Sequence, residues 1–170
     1  MEEKLISEGL QHRLAMTPAM MKIIETSPAV MGGYLSFSMA LASGELDARF
    51  RAQVALAVAR ANRSETLIAL HSGIAKKIGM SDDEIRASQR CHSDDAKKAA
   101  ALKFVSELMV CRGEVSREAV LRVRNAGYGD AKIVEIAANA AMVTLAHCLE
   151  CIAGNRPDPA ATAGTSSSPT

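Results

Sequence analysis

Signals that start and stop helices recur along this chain at short intervals, and they constrain its fold more than any other feature. A residue able to cap or to begin a helix stands at the start of each apolar periodic segment: Thr17, Ser27, Asp47, Ser64, Ser81, Ser93, Ser116 and Asp130. Proline follows the first two caps, and Glu84 completes a capping box with Ser81. Glycines stop five segments: Gly44, Gly79, Gly113, Gly127 and Gly154. With no strand pattern of any length, the chain is predicted to be all-α.

Four of the predicted helices are long. One begins at Asp47 and runs through Arg60, and the next is capped by Ser64 and runs to Gly79. A third opens at Ser93 and ends near Gly113. The last runs from Asp130 to Gly154 and is apolar nearly all round, which predicts burial within the domain or in an oligomer.

Length and composition indicate one domain. A chain of 170 residues with 48% hydrophobic residues can bury a real core. We predict an N-terminal helical extension over residues 1–26 and a helical domain over residues 27–154. Residues 155–170 are rich in proline, alanine, serine and threonine, and we expect a disordered tail there.

Charge and composition also bear on partners and location. A net charge of +1 and the absence of tryptophan argue against binding to nucleic acid or to an anionic membrane. We find no apolar run of the roughly 18 to 20 residues needed to span a bilayer, and the acidic N-terminus lacks the order of a secretion signal. Four cysteines are too few for a disulfide scaffold. We expect a cytoplasmic homo-oligomer, a trimer or a hexamer.

The stretch SETLIALH places Ser64, Leu67 and His71 on one helix face. Together with the flanking segments SPAVMGGYLSFSMALASGELD, LDARFRAQVALAVARAN and IAKKIGMSDDEI, it resembles the alkylhydroperoxidase AhpD and carboxymuconolactone decarboxylase superfamily. The likeness covers roughly residues 27–153, and it implies that superfamily's all-helical fold.

The AhpD-like branch of that superfamily carries the pattern E-x11-C-x2-C-x3-H, which implies a thiol peroxidase. Carried over to this chain, the four positions are Ala52, Ser64, Leu67 and His71, so only the histidine is retained. Conventional AhpD peroxidation at these positions is therefore excluded. Ser64 is placed where a helix cap belongs, Leu67 is expected in the core, and Glu65 is expected to face solvent in the first helical turn.

A different cysteine pair lies near the C-terminus, in AHCLECIAG. Cys148 and Cys151 share a helix face, and a dithiol relocated beside His71 would rebuild a peroxidase. Against this, the last turn of a helix raises the pKa of a thiol, and buried cysteines are inert. Our leading hypothesis is nevertheless hydroperoxide reduction by Cys148 and Cys151, with His71 as proton carrier, a small-molecule substrate and a thiol reductant. Ser64, Glu65 and His147 are accessory candidates.

Two alternatives stay open at this stage. The decarboxylase branch implies a lyase or isomerase that needs no redox chemistry, with His71 as acid or base and Glu65 or Arg63 as a neighbour. The arginines nearby, however, are spread around a helix and form no cluster next to His71: Arg49, Arg51, Arg60 and Arg63. The other alternative is a member of the superfamily that acts by binding or assembly without catalysis.

We predict no cofactor and no metal. A zinc site could use His147, Cys148 and Cys151 with Cys91 or His92. Closed zinc sites normally show two tight ligand pairs, however, and this chain has a single pair. His147 is also expected to point away from the face that the two cysteines share.

Overall fold

The computed structural model describes residues 15–154, and within that range the chain forms eight α-helices and no strand. The all-α prediction is therefore confirmed. The predicted tail at 155–170 and the first fourteen residues of the predicted extension lie outside the described residues. The helices are α1 (Pro18–Ile24), α2 (Pro28–Ala42), α3 (Ala48–Ala61), α4 (Glu65–Lys77), α5 (Asp82–Gln89), α6 (Ala96–Val110), α7 (Arg117–Asn125) and α8 (Asp130–Gly154).

Most of the predicted N-terminal helix caps are present in the structure. The side chains of Thr17, Ser27, Asp47, Ser64 and Ser116 each accept a hydrogen bond from a backbone N–H in the first turn that follows. Both halves of the predicted capping box at the start of α5 are present.

One predicted cap is wrong. Asp95, not Ser93, caps α6, because its carboxylate accepts from the backbone N–H groups of both Lys97 and Lys98 at 2.9 and 3.1 Å. The Ser93 hydroxyl instead accepts from the backbone N–H of Asp95. The cap of this helix therefore lies two residues later than the sequence predicts, and the helix begins at Ala96.

The core is built around α3. Every residue from 52 to 59 is buried, so this helix has no solvent-facing side over more than two turns. It packs against α4, α5, α6 and α8. An ion pair between Arg49 and Glu84, with nitrogen and oxygen 2.5 Å apart, ties the start of α3 to α5. The Arg49 guanidinium and the Ser81 backbone N–H lower the pKa of the Glu84 carboxyl by hydrogen bonding.

The last residues of the predicted N-terminal extension belong to the same core. Met16, Met20 and Ile24 are at most 2% exposed, and α1 packs along α8. Burial of these side chains removes apolar surface from water, which is the main favourable contribution to folding. The described part of this segment is thus integral to the domain.

The two most apolar helices keep apolar side chains on the surface. On α2 these include Phe37 and Met39, and on α8 they include Val134, Leu145 and Ile152. No charged residue occurs in α2. Exposed apolar surface of this kind is typical of contact sites between proteins. The homo-oligomer stays a prediction.

Helix α8 corrects one expectation from the sequence. It has 25 residues, and its most apolar window has a mean hydropathy of 1.5, so it is long and apolar enough to cross a membrane. The expectation that no run reaches that length is therefore wrong. Length and composition alone do not distinguish a spanning helix from a core helix, and α8 packs against α1, α3 and α6. The cytoplasmic location stays a prediction.

Replacing Leu102 by alanine tests the core on α6. Leu102 has no exposed surface, so Leu102→Ala is expected to lower the free energy of unfolding by about 2–5 kcal/mol, through lost burial and a residual cavity. Leu121→Ala removes the same atoms from a side chain that is 40% exposed and is the matched control, with a loss of about 1 kcal/mol or less. Urea unfolding measures both, and equal losses would contradict this packing.

Candidate functional site

The sharp joint between α3 and α4 places Ser64 at the start of α4. Arg63 adopts a left-handed conformation, with φ of 57°, and the backbone N–H of Ser64 donates a hydrogen bond to the carbonyl of Ala59. The Ser64 hydroxyl accepts from the backbone N–H of Leu67 at 3.2 Å and donates to the Glu150 carboxylate at 2.7 Å. Ser64 is therefore the predicted cap, and it also ties α4 to α8.

Two further positions of the motif helix have structural roles, as predicted. Leu67 is completely buried in the main core. Glu65 is exposed and lies 3.7 Å from the Arg60 guanidinium, in an exposed ion pair of the kind that adds little to stability. Neither residue lines the cavity described next.

A cavity of about 230 Å³ lies between α2, α3, α4 and α8. It is lined mainly by alanine and other apolar side chains, with His71 contributed by α4 and Ala52 by α3. The motif's histidine and glutamate positions thus share one cavity, although alanine stands at the second. The other polar lining residues are Tyr34, Ser38, Arg51 and Asn139.

His71 is a buried polar residue of this cavity. The residue is 6% exposed, and its Nε2 is buried with no hydrogen-bond partner among the described residues. Burial lowers the pKa of the imidazole from 6.5 to about 4, because the charged form is disfavoured away from water. At neutral pH the ring is therefore uncharged, with one nitrogen able to donate a proton and the other able to accept one.

Arg51 supplies the positive charge of the cavity lining. Its Nη1 donates to the backbone carbonyl of Leu46, and within residues 15–154 it forms no salt bridge. No aspartate or glutamate of those residues lines the cavity. A buried or half-buried cation with no opposite charge beside it favours an anionic ligand.

The sequence expectations assign no functional role to Arg51. In the sequence it is one of four arginines that are spread around a helix, a pattern that predicts a solvent-exposed set. Ala48, Arg51, Ala52 and Ala55 lie at i, i+3, i+4 and i+7, which is one stripe of a helix. The stripe contains Ala52, the motif's glutamate position, so this spacing is the sequence signal that places Arg51 beside the motif.

Two other polar groups of the cavity act as hydrogen-bonding groups without charge. Burial raises the pKa of the Tyr34 hydroxyl to about 12, so it stays protonated at neutral pH. The Asn139 amide nitrogen donates to the backbone carbonyl of Glu135 at 2.8 Å. These groups can orient a polar ligand but cannot take the place of His71 in acid–base chemistry.

The cysteine pair of α8 lies outside this cavity. The lining residues of α8 include Asn139, Val143 and Ala146, and Glu150 continues that stripe toward Ser64. Cys148 is two residues beyond Ala146, about 200° around the helix axis, so it lies on nearly the opposite side. Both Cys148 and Cys151 are exposed, and neither lines the cavity that holds His71.

His147 is oriented differently from the sequence expectation. Its Nε2 lies 3.6 Å from the sulfur of Cys151, one helical turn away, so it faces one of the two cysteines. The i and i+4 positions of a helix are neighbours on its surface, which the sequence interpretation overlooked for this pair.

The remaining candidate zinc ligands do not join this group in the structure. Cys91 is half-buried and His92 is exposed, 3.7 Å from the Asp94 carboxylate. Among residues 15–154 no group of three or more histidine, cysteine, aspartate or glutamate side chains is arranged to hold a metal ion.

The depressed pKa of His71 makes stability depend on pH with a defined sign. The folded value of about 4 lies below the ordinary 6.5, so the stabilising contribution is present above pH 6.5 and is lost as the pH falls toward 4. The free energy of unfolding of the wild type should therefore fall from pH 8 to pH 5 by about 2 kcal/mol more than that of His71→Gln. Urea unfolding at both pH values checks this, and parallel losses in the two proteins would contradict it.

The comparisons with known proteins agree with the fold and the resemblance. Residues 28–107 match the carboxymuconolactone decarboxylase family, and this segment includes α2 to α5 and most of α6. An uncharacterized peroxidase-related protein from Silicibacter sp. TM1040 has a similar crystal structure, with a TM-score of 0.75 at 16% identity. That match covers 94% of this chain and 86% of the other, and at this identity it shows the fold alone. No curated protein matches the chain.

Most of the helical core and three of the four helices around the cavity fall inside the matched segment. The fourth, α8, lies beyond it, so Asn139 and the cysteine pair are outside the family match. The predicted resemblance is confirmed: over residues 28–107 this chain carries the sequence pattern of the carboxymuconolactone decarboxylase family, on an all-helical fold shared with a peroxidase-related protein.

Proposed function

We propose that this protein is a lyase or isomerase, independent of redox chemistry, that transfers protons on a small anionic organic molecule bound in the cavity at His71. The observation that carries the proposal is the buried, neutral His71 side chain, which has an unpartnered Nε2 and lines one cavity together with Arg51. The matched family is named for a decarboxylase, which supports a reaction of that type.

The low pKa of His71 limits what the ring can do without a ligand. At pH 7, protonating a group with a pKa of about 4 costs about 4 kcal/mol. A carboxylate held by Arg51 in the same cavity favours the imidazolium and offsets part of that cost. The substrate's own charge would thus make His71 a more effective base, and the protonated ring could then act as the acid that returns the proton.

Turnover of small lactone and keto carboxylic acids tests this proposal. Wild type, His71→Gln and Arg51→Met are compared by carbon dioxide release and by proton NMR of the products. His71→Gln is expected to lower kcat by about 10²-fold or more, because a positioned acid–base group contributes that much. Arg51→Met is expected chiefly to raise KM, through loss of a charge-assisted contact.

The Cys148→Ser/Cys151→Ser double variant is the control for this assay, since neither sulfur lines the cavity. Its turnover should equal that of the wild type. Absence of turnover with every carboxylic acid, or full activity in His71→Gln, would contradict the proposal. Unchanged function without His71 would instead favour the member that acts by binding or assembly.

A second candidate function is supported by the contact between Cys151 and His147. An imidazole 3.6 Å from an exposed thiol can accept its proton, which gives the thiolate needed for attack on a hydroperoxide. The oxygen transferred leaves a sulfenic acid on one cysteine and releases water or an alcohol. The other thiol then forms a disulfide with loss of water, and an external thiol reductant restores the pair. His147, rather than His71, is the base that the geometry favours for this chemistry.

Hydroperoxide consumption in the presence of dithiothreitol tests this second candidate. Wild type should consume hydroperoxide faster than Cys148→Ser and Cys151→Ser, and His147→Gln should slow the reaction. Cys111→Ser is the matched control, because Cys111 is also exposed but lies at the C-terminal cap of α6 and not on α8. Equal rates in the wild type and in both α8 cysteine variants would exclude the dithiol as a peroxidase.

A further inference from the structure

The carboxylate of Glu135 on α8 holds the loop that precedes α3. Its Oε1 accepts from the backbone N–H of Glu45 at 2.9 Å, and its Oε2 accepts from that of Leu46 at 3.1 Å. Each carboxylate oxygen therefore has its own backbone donor, and hydrogen bonds to a charged acceptor are stronger than neutral ones. The loop is fixed to a helix that is 90 residues distant in sequence.

The same loop holds Arg51 in the cavity lining. The carbonyl of Leu46 accepts from Arg51 Nη1, while its N–H is bound by Glu135. On the other side, the Asp47 carboxylate caps α3 by accepting from the backbone N–H of Phe50 at 2.7 Å. Leu46 is thus fixed at its own N–H by Glu135 and, one residue later, by the Asp47 cap of α3, and its side chain is buried. The direction of its carbonyl, and with it the place of the Arg51 guanidinium, depends on both anchors.

Gly44 makes room for this contact. A Cβ atom at this position would lie 2.6–2.8 Å from the carboxylate atoms of Glu135, closer than real contacts allow. The absence of a side chain at Gly44 is therefore what lets the carboxylate reach the two backbone N–H groups. An alanine here would displace the carboxylate without changing any group of the cavity lining.

Glu135 is also linked to the cavity through its backbone. Its carbonyl accepts from the side chain of Asn139, which lines the cavity one helical turn away. Both Arg51 and Asn139 are therefore oriented by contacts that lead to Glu135. Groups in a supporting role of this kind fix the geometry of residues that touch a ligand.

We propose that Glu135 is a positioning residue for the His71 cavity: it sets the Arg51 guanidinium through the backbone of Leu46 and so determines how tightly a carboxylate is held. This inference rests on the proposed function for the identity of the ligand, but the placement of Arg51 can be measured without one. Gly44 contributes to the same positioning, because its lack of a side chain leaves room for the Glu135 carboxylate.

The experiment compares Glu135→Gln and Gly44→Ala with the wild type and with Glu107→Gln. The amide nitrogen of glutamine would face a backbone N–H donor, so one of the two loop contacts is lost. Glu107→Gln is the matched control, because Glu107 lies 2.6 Å from Arg122 in an ion pair between α6 and α7, outside the cavity lining. Gly44→Ala keeps every charge, so a shared effect of the two test variants cannot come from charge alone.

Two readouts are taken on the folded variants. The first is the guanidinium N–H signal of Arg51 in ¹⁵N NMR spectra without ligand, assigned by its disappearance in Arg51→Lys. The second is the affinity for benzoate, a carboxylate suited to a cavity of this size, by calorimetry. Both test variants should lose the protected guanidinium signal and bind benzoate about tenfold more weakly, the loss expected for a weakened charge-assisted contact.

The outcomes separate the positioning role from the proposed function. A protected Arg51 signal that survives in both Glu135→Gln and Gly44→Ala would overturn the inference, as would equal losses in Glu107→Gln. A signal lost only in the two test variants, with no benzoate binding by the wild type, would support the positioning of Arg51 and count against the proposed anionic substrate. Benzoate binding that is unchanged in both variants would overturn the role of Glu135 in holding a carboxylate.

Discussion

The burial of α3 on all sides is the constraint on which the rest of the fold depends. A helix buried from residue 52 to residue 59 must be covered by several other helices at once, and α4, α5, α6 and α8 do so. Small side chains such as Ala57 and Ala59 let the neighbours approach closely, while Val54 and Leu56 fill the remaining space. Charged groups on this helix are confined to its ends, where Arg49 and Arg51 find partners in α5 and in the preceding loop.

The same packing creates the cavity. On the side of α3 that faces α2, α4 and α8, alanines stand at positions 48, 52 and 55, and their short side chains leave space between the helices. At Ala52 the related peroxidase pattern has a glutamate. Because alanine has no acceptor, no carboxylate stabilises a proton on His71, and desolvation alone sets its low pKa. The cavity lining is consequently mainly apolar, with Arg51 as its charged side chain and no carboxylate among the described residues.

The structure also separates the two groups that the peroxidase hypothesis joins, the His71 imidazole and the thiols of Cys148 and Cys151. If His71 on α4 carried protons for the dithiol, both cysteines would have to lie on the face of α8 that packs toward His71. Instead, the stripe of α8 that faces His71 carries Asn139, Val143 and Ala146, and Cys148 lies on nearly the opposite side. The neutral imidazole is enclosed, and the thiols meet solvent beside His147. The two sites therefore differ in access: a ligand reaches His71 through the cavity, and a substrate reaches the thiols at the protein surface.

Sequence alone determined the helices and the resemblance, because caps and glycine stops act over three or four residues and the motif spacing is local. Ser64 as a cap, Leu67 in the core and the start of α8 at Asp130 all followed from such short-range rules. The cap at Asp95 was missed because two candidate caps lie within three residues, and only hydrogen-bond geometry decides between them. Tertiary structure alone decided that Arg51 shares a cavity with His71, that Cys148 does not, and that Glu135 holds the loop before α3. Those relations join positions up to 90 residues apart, and they depend on how the helices are rotated against one another, which no local pattern specifies.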